Sequence, residues 1–147
     1  MMNYSPLTST AGLRRSHSAE KTRLFGLEVG QKLKSGAVLA LKGELGAGKT
    51  TFVEGLVEGV LGKRIPIESP TFCYLNIYEG KVFHFDLYRL KSAEQFLEMG
   101  FEEFLFTGIA CIEWSERIES LLPEDVITVE IIHEEGGRCI ISKMFAS

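Results

Sequence analysis

The spacing of apolar positions changes along the chain, and these changes predict alternating helices and strands. A first helix begins after Ser18, a helix-capping residue type, and extends to about Leu33. Residues 38–41 form a short apolar run, typical of a buried strand, that stops at a glycine-rich stretch. Beyond that stretch the apolar residues recur at helical spacing until Gly62 (Phe52, Val53, Leu56, Val57, Val60, Leu61). Strand, glycine-rich loop and helix therefore follow one another directly.

The second half of the chain predicts mostly strands. Residues 71–87 are expected to be β structure with a turn at Glu79-Gly80, and residues 82–87 alternate between a polar and an apolar face. A capping box of Ser92 and Gln95 opens a short helix. Further segments are a strand at 109–112, a short helix at 115–121 and a hairpin at 125–142 turning at Gly136-Gly137. The pattern predicts one α/β domain with a mixed sheet at residues 18–147, after a polar, loosely ordered tail at residues 1–17.

Composition and charge argue against some classes of function. The chain has 147 residues and a net charge of −4, which suits one soluble domain and argues against a stand-alone nucleic-acid binder. No apolar run approaches the roughly 18 residues of a membrane span, so no membrane association is expected. Cys73, Cys111 and Cys139 lie in apolar stretches without a CxxC pair, which predicts buried, reduced thiols and a cytoplasmic location.

The glycine-rich stretch carries the strongest chemical signal. Gly43, Gly48, Lys49 and Thr50 match the phosphate-loop pattern G-x-x-x-x-G-K-[ST], in which backbone N–H groups surround phosphates. Lys49 is predicted to reach the β- and γ-phosphates, and the Thr50 hydroxyl to bind Mg²⁺. The predicted nucleotide-binding residues are Gly43, Glu44, Leu45, Gly46, Ala47, Gly48, Lys49, Thr50 and Thr51.

A phosphate loop also needs a carboxylate near the metal, usually at the end of a neighbouring strand. Glu113 ends the apolar run 109–112 and is the predicted second metal ligand; the alternative is an exposed strand-end glutamate. Asp86 is a second candidate, to orient the attacking water or complete the magnesium shell. His84 could equally be a hydrogen-bonded core histidine, and Arg89 could neutralise transition-state charge or pair with a carboxylate.

Two further residues have open roles. Thr71, in the segment SPTF, could meet Mg²⁺ or the γ-phosphate as a switch threonine does, or make only a local backbone bond. Trp114, the only tryptophan, could pack in the core or lie beside the nucleotide or a partner.

Together the segments GELGAGKTTF, SPTF, HFDLYRL with a following E-x-x-x-M-G, and IEW resemble the bacterial TsaE family in order and spacing. The resemblance covers about residues 18–142. It implies a P-loop NTPase-like three-layer domain that binds ATP and Mg²⁺ and has weak intrinsic hydrolysis. Its partners would be TsaD-like and TsaB-like proteins, which attach threonylcarbamoyl to the adenosine next to the tRNA anticodon; contact with tRNA would be indirect.

The resemblance also implies roles for single residues. Lys49 falls at the phosphate-binding lysine, Thr50 at the magnesium-binding hydroxyl and Glu113 at the second metal-site carboxylate. The implied catalytic set is Asp86, Glu113 and Thr71; Trp114, Arg89 and His84 are possible partner or nucleotide contacts. One departure is Glu44, where the family usually has Asp, although that side chain is not needed to surround a phosphate.

Three rival functions make different demands on the sequence. A small-molecule kinase should carry an arginine-bearing lid and an acceptor pocket, and no arginine cluster follows the loop. A GTPase should carry an N-K-x-D-like segment, and none occurs. A nucleotide-gated binding module with little turnover stays open, because it and a partner-dependent ATPase have the same sequence features.

Overall fold

The computed structural model describes residues 12–44 and 46–146. Within them, one seven-stranded sheet has the order β1-β7-β6-β2-β5-β4-β3. Its strands are β1 Gly12–Ser16, β2 Val38–Gly43, β3 Leu75–Tyr78, β4 Val82–Asp86, β5 Ile109–Glu113, β6 Ile127–Glu134 and β7 Gly137–Ser142. The α-helices are α1 Ala19–Lys32, α2 Lys49–Leu61 and α3 Ala93–Glu98, and 3₁₀ helices span Phe101–Phe104, Ser115–Leu121 and Lys143–Phe145.

The four central strands, β6, β2, β5 and β4, are parallel, and the strands added outside them are antiparallel. Parallel strands end at one edge of a sheet, which is where ligands bind in open α/β folds. The residues that follow β2, β4 and β5 therefore meet at the same edge. The β6–β7 turn lies there as well, because β6 runs parallel to β2.

Successive residues of the central strands face two separate cores. Leu39, Leu41 and Cys111 pack with α1 and α2 on one face of the sheet. Val38 and Ile112 pack with α3 and with the 3₁₀ helices Phe101–Phe104 and Ser115–Leu121 on the other face. The predicted three-layer α/β fold with a mixed central sheet is confirmed by this arrangement.

Helices α1 and α2 pack at unusually short distance through glycines. A Cβ atom added to Gly55 would lie 1.8 Å from the Arg23 carbonyl oxygen, and one added to Gly26 would lie 2.1 Å from the Phe52 oxygen. Gly30 and Gly59 are equally crowded against the opposite helix. Larger side chains would push the helices apart, so these glycines fix the position of α2, whose first turn belongs to the phosphate loop.

The structure corrects the expected start of the domain. Residues 12–16, which the sequence pattern places in the polar tail, form β1 and pair with β7 along its length. The tail prediction is wrong here because an edge strand of only five residues has no clear apolar alternation. Residues 1–11 and 147 lie outside the described residues.

Two local predictions also change. Residues 71–73 form a turn rather than a strand, and β3 starts at Leu75. The polar face of β4, where a core position for His84 was one of the alternatives, is buried: His84 is 0% and Asp86 is 7% accessible. In the capping box, Ser92 accepts a hydrogen bond from Gln95 N as predicted, but the Gln95 side chain accepts from Lys91 N.

The cysteines only partly match expectation. Cys111 and Cys139 are buried, and burial raises the pKa of both thiols, whereas Cys73 is exposed on the turn before β3. Among the described residues, no helix has the length and hydropathy needed to cross a membrane.

Candidate functional site

The phosphate loop follows β2 at the carboxyl edge of the sheet. Gly46 and Gly48 adopt left-handed backbone angles, with φ of 80° and 106°, which glycine adopts without strain. Ala47 between them is fully buried and anchors the loop in the core. Lys49 begins α2, and its Nζ donates to the Gly43 carbonyl oxygen at 2.6 Å. Leu45 lies outside the described residues.

Glu113 ends β5 beside the loop. It is 6% accessible, and its Oε1 lies 3.5 Å from Lys49 Nζ. The other oxygen, Oε2, accepts a hydrogen bond of 2.7 Å from Nε2 of the buried His84. Because an ionised carboxylate only accepts hydrogen bonds, Nε2 is the donor in this pair, and His84 Nδ1 has no hydrogen-bond partner among the described residues. His84 thus fixes the Glu113 carboxylate with one oxygen turned towards Lys49.

Asp86 ends β4 directly opposite Glu113, because the two are paired residues of neighbouring parallel strands. Its Oδ2 accepts the Thr71 hydroxyl at 3.1 Å, and its Oδ1 accepts Tyr88 N at 3.1 Å. Thr71 reaches Asp86 because β3 is antiparallel to β4, which brings the turn before β3 beside the end of β4. The Thr71 hydroxyl also contacts Ser69 Oγ at 2.7 Å.

Exposed aromatic side chains form the outer rim. Trp114, 38% accessible, has a left-handed φ of 61°, a conformation that costs a bulky residue of the order of 1 kcal/mol. Its ring contacts that of Tyr88, with centroids 5.0 Å apart, and Arg117 lies over it. Arg89 faces outward and stacks on Phe72, which is 79% accessible. The Arg89 guanidinium is therefore engaged at the rim, away from the carboxylates.

These elements enclose a cleft of about 910 Å³. It brings together predicted residues from the segments GELGAGKTTF, SPTF, HFDLYRL and IEW, whereas Ala47, His84 and Arg89 are absent from its lining. The lining residues are Gly43, Glu44, Gly46, Gly48, Lys49, Thr50, Thr51, Ser69, Thr71, Asp86, Tyr88, Glu113, Trp114 and Arg138.

The oxygen groups in this cleft fit Mg²⁺ in the presence of a nucleotide. Magnesium at nucleotide sites takes one or two carboxylates together with phosphate oxygens and water. The Thr50 hydroxyl and the Glu113 carboxylate, which turns one oxygen into the cleft, offer such a set. No group of three or more His, Cys, Asp or Glu side chains that could hold a metal alone occurs in residues 12–44 and 46–146.

Sequence reasoning missed Arg138, which lines the cleft from β7. Its Nε donates to the Ala47 carbonyl oxygen at 2.7 Å and its Nη2 to that of Gly46 at 3.2 Å. The only local signal was an arginine directly after a glycine turn. Its place beside the loop depends on the strand order β7-β6-β2, which the sequence pattern does not reveal.

Comparison with known proteins agrees with this architecture. The family model described as "Threonylcarbamoyl adenosine biosynthesis protein TsaE" matches residues 16–140. A TsaE protein of Treponema pallidum is 45% identical over 84% of this chain and 93% of its own. A TsaE protein of Aquifex aeolicus is 40% identical over 82% of this chain and 88% of its own.

The fold comparison points the same way. The crystal structure of Bacillus subtilis YdiB superposes with a TM-score of 0.72 and 29% identity, covering 90% of this chain and 84% of that one. The family match includes every strand from β2 to β6 and therefore the whole cleft. The chain belongs to the TsaE family of threonylcarbamoyladenosine biosynthesis proteins.

Proposed function

We propose that this protein is a Mg²⁺-dependent ATPase that supports threonylcarbamoyladenosine modification of tRNA by acting on TsaD-like and TsaB-like partners. The observation that carries the ATPase part is the pairing of Asp86 with Glu113 at the edge where β2 delivers the phosphate loop. A phosphate loop and a buried strand-end carboxylate 3.5 Å from its lysine are the components that phosphoryl transfer requires.

In this proposal the loop binds the phosphates of ATP. Backbone N–H groups of residues 43–51, which include the first turn of α2, surround the α- and β-phosphates. The Lys49 ammonium leaves its present partners, the Gly43 oxygen and Glu113, and binds β- and γ-phosphate oxygens instead. Thr50 and Glu113 would hold Mg²⁺, directly or through water. Magnesium held there would supply the positive charge that stabilises negative charge on the phosphates during transfer.

Thr71 and Asp86 are proposed to place the attacking water. The Asp86–Thr71 hydrogen bond holds the hydroxyl of Thr71 at the wall of the cleft opposite the loop. The water forms a new bond to the γ-phosphorus as the bond to the bridging oxygen breaks, which releases ADP and inorganic phosphate. The proton of the water passes to solvent or to the released phosphate.

A protein partner fits the outer rim of the cleft. Phe72, Tyr88 and Trp114 are exposed at 79%, 54% and 38%, and arginine side chains lie over two of them. Exposed aromatic residues and arginine are the residue types that most often carry binding energy at protein interfaces. The relatives' name, a tRNA threonylcarbamoyladenosine biosynthesis protein, assigns the pathway in which that partner would work.

The test is steady-state phosphate release from Mg·ATP, measured with the protein alone and after addition of purified TsaD-like and TsaB-like proteins. We expect slow release alone and a rise of at least several-fold with the partners. The variant Lys49→Ala, mixed with the same partners, supplies the background.

Two results would select the alternatives. An unchanged rate, together with ATP-dependent association of the three proteins, would favour the nucleotide-gated binding module. Transfer of the γ-phosphoryl group to an acceptor instead of water would favour the kinase. Absence of any Mg·ATP binding would contradict the nucleotide function altogether.

A further inference from the structure

Arg138 makes an unusual contact with the phosphate loop from a distant part of the chain. It is the second residue of β7, and its guanidinium donates to the Ala47 carbonyl oxygen at 2.7 Å and to the Gly46 oxygen at 3.2 Å. A third bond, of 3.3 Å, goes to the Gly137 oxygen. All three acceptors are backbone carbonyls, so the side chain recognises the shape of the loop rather than another side chain.

These hydrogen bonds determine which way the loop peptides face. In a trans peptide the carbonyl of one residue and the N–H of the next point in opposite directions. Binding of the Ala47 carbonyl by Arg138 therefore turns the Gly48 N–H away from the guanidinium. The peptide between Gly46 and Ala47 is held in the same manner, and its N–H closes the loop turn by donating to Glu44 O at 3.0 Å.

Arg138 also adds charge next to the predicted path of the phosphates. It lines the main cleft together with Lys49, and it lines a smaller neighbouring cleft of about 120 Å³ together with Thr51. Within residues 12–44 and 46–146, the guanidinium forms no ion pair with a carboxylate, and its hydrogen bonds go to carbonyl oxygens. Its positive charge can therefore act on anions bound at the loop.

The strands on both sides of β7 hold Arg138 in this position. Its backbone pairs with His133 of β6 and with Ser16 of β1. β6 in turn pairs with β2, the strand that leads into the loop. The strand order thus delivers the guanidinium to the loop as a fixed part of the fold.

From this geometry we propose that Arg138 is a positioning residue of the nucleotide site. It holds the Gly46 and Ala47 carbonyls so that the loop is preorganised for phosphate binding, and it contributes a positive charge beside the bound nucleotide. The inference rests on the proposed nucleotide function and names a residue that the phosphate-loop motif does not contain.

The test is calorimetric titration with ADP in the absence of magnesium, so that metal binding and turnover do not enter. We expect Arg138→Ala to bind ADP about ten- to hundred-fold more weakly than the unaltered protein, because charged hydrogen bonds are lost at a site that needs a fixed shape. Arg138→Lys, which retains the charge but loses the fork of donors, should fall between the two. Arg64→Ala, which removes a surface ion pair with Glu54, is the matched control and should bind normally.

Chemical rescue separates positioning from folding. Guanidinium chloride at a low, non-denaturing concentration should restore part of the ADP affinity of Arg138→Ala, whereas sodium chloride at equal ionic strength should not. Circular dichroism melting curves give the folded fraction of every variant.

Two results would overturn the inference. One is a folded Arg138→Ala variant whose ADP affinity is within about two-fold of the unaltered protein. The other is a loss of affinity that matches a loss of folded protein and is not rescued. If the unaltered protein itself binds no ADP, it is the proposed function that fails.

Discussion

The two walls of the cleft are built in different ways. The loop wall, residues 43–51, is one continuous segment that offers mainly backbone groups and is held by the buried Ala47 and by Arg138. The carboxylate wall consists of Thr71, Asp86 and Glu113, which come from three segments and offer side-chain oxygens. The loop wall is suited to binding phosphates whatever reaction follows, whereas the carboxylate wall is suited to directing a reaction at the terminal phosphate.

If this division is correct, changes in the loop wall should abolish nucleotide binding, and changes in the carboxylate wall should spare it. The largest effect is expected for Lys49→Ala, because the variant removes an ammonium group that contacts both walls. Affinity for ATP should fall by at least about a hundred-fold, since charged hydrogen bonds to phosphate contribute about 1.5–3 kcal/mol each and the lysine makes more than one.

Calorimetric titration with ATP measures this loss. The matched control is Lys63→Ala, just beyond the other end of the same helix, where the ammonium pairs with Glu79 at the surface. Normal ATP binding by Lys49→Ala would show that the loop is not the phosphate site.

The second largest effect is expected for Glu113→Gln, measured on turnover. The amide keeps an oxygen for the His84 hydrogen bond but loses the charge that would hold magnesium. Phosphate release should fall by about a hundred-fold or more, consistent with the loss of a metal-site charge, while ATP affinity stays within a few-fold.

Glu116→Gln, an exposed glutamate three residues further on, is the control and should leave both quantities unchanged. A large loss of ATP affinity in Glu113→Gln, with the turnover of bound ATP preserved, would reverse the roles given to the two walls.

The smallest effect is expected for Thr71. Thr71→Val keeps the shape but loses the hydroxyl that bonds to Asp86. Phosphate release should fall by about ten-fold, less than the roughly 10²–10⁴-fold of a general acid or base, because Thr71 positions water without exchanging a proton with it. Thr71→Ser keeps the hydroxyl and should retain most of the rate. Equal rates in the two variants would limit Thr71 to packing.

The two walls also differ in how far the sequence predicts them. The loop wall is predictable residue by residue, because its function depends on consecutive glycines, a lysine and a threonine with a strand before and a helix after. Glu113 and Asp86 are predictable one at a time from their places at the ends of apolar runs. Their direct pairing across β4 and β5 is not, because register between strands depends on the whole sheet.

Features that depend on strand order are not visible in the sequence pattern. Arg138 meets the site, and β1 joins the sheet, only because β7 lies between β1 and β6. The sequence leaves the burial of His84 open as one of two alternatives, because its strand alternates between polar and apolar residues. In the structure helix α2 covers that face, and Glu113 accepts the His84 hydrogen bond. The close packing of α1 on α2 is visible in the sequence only as pairs of glycines spaced four residues apart. This spacing does not by itself show which helix packs against which.

The most direct test of the central claim, that both walls together form one metal–nucleotide site, is a crystal structure with a non-hydrolysable ATP analogue and Mn²⁺ in place of Mg²⁺. Anomalous scattering from manganese locates the ion independently of the protein coordinates. We predict a manganese peak between the Thr50 hydroxyl and the Glu113 carboxylate, in contact with the β- and γ-phosphates, with Lys49 moved onto the phosphates. A nucleotide bound outside the loop, or a manganese ion held without either Thr50 or Glu113, would contradict the account.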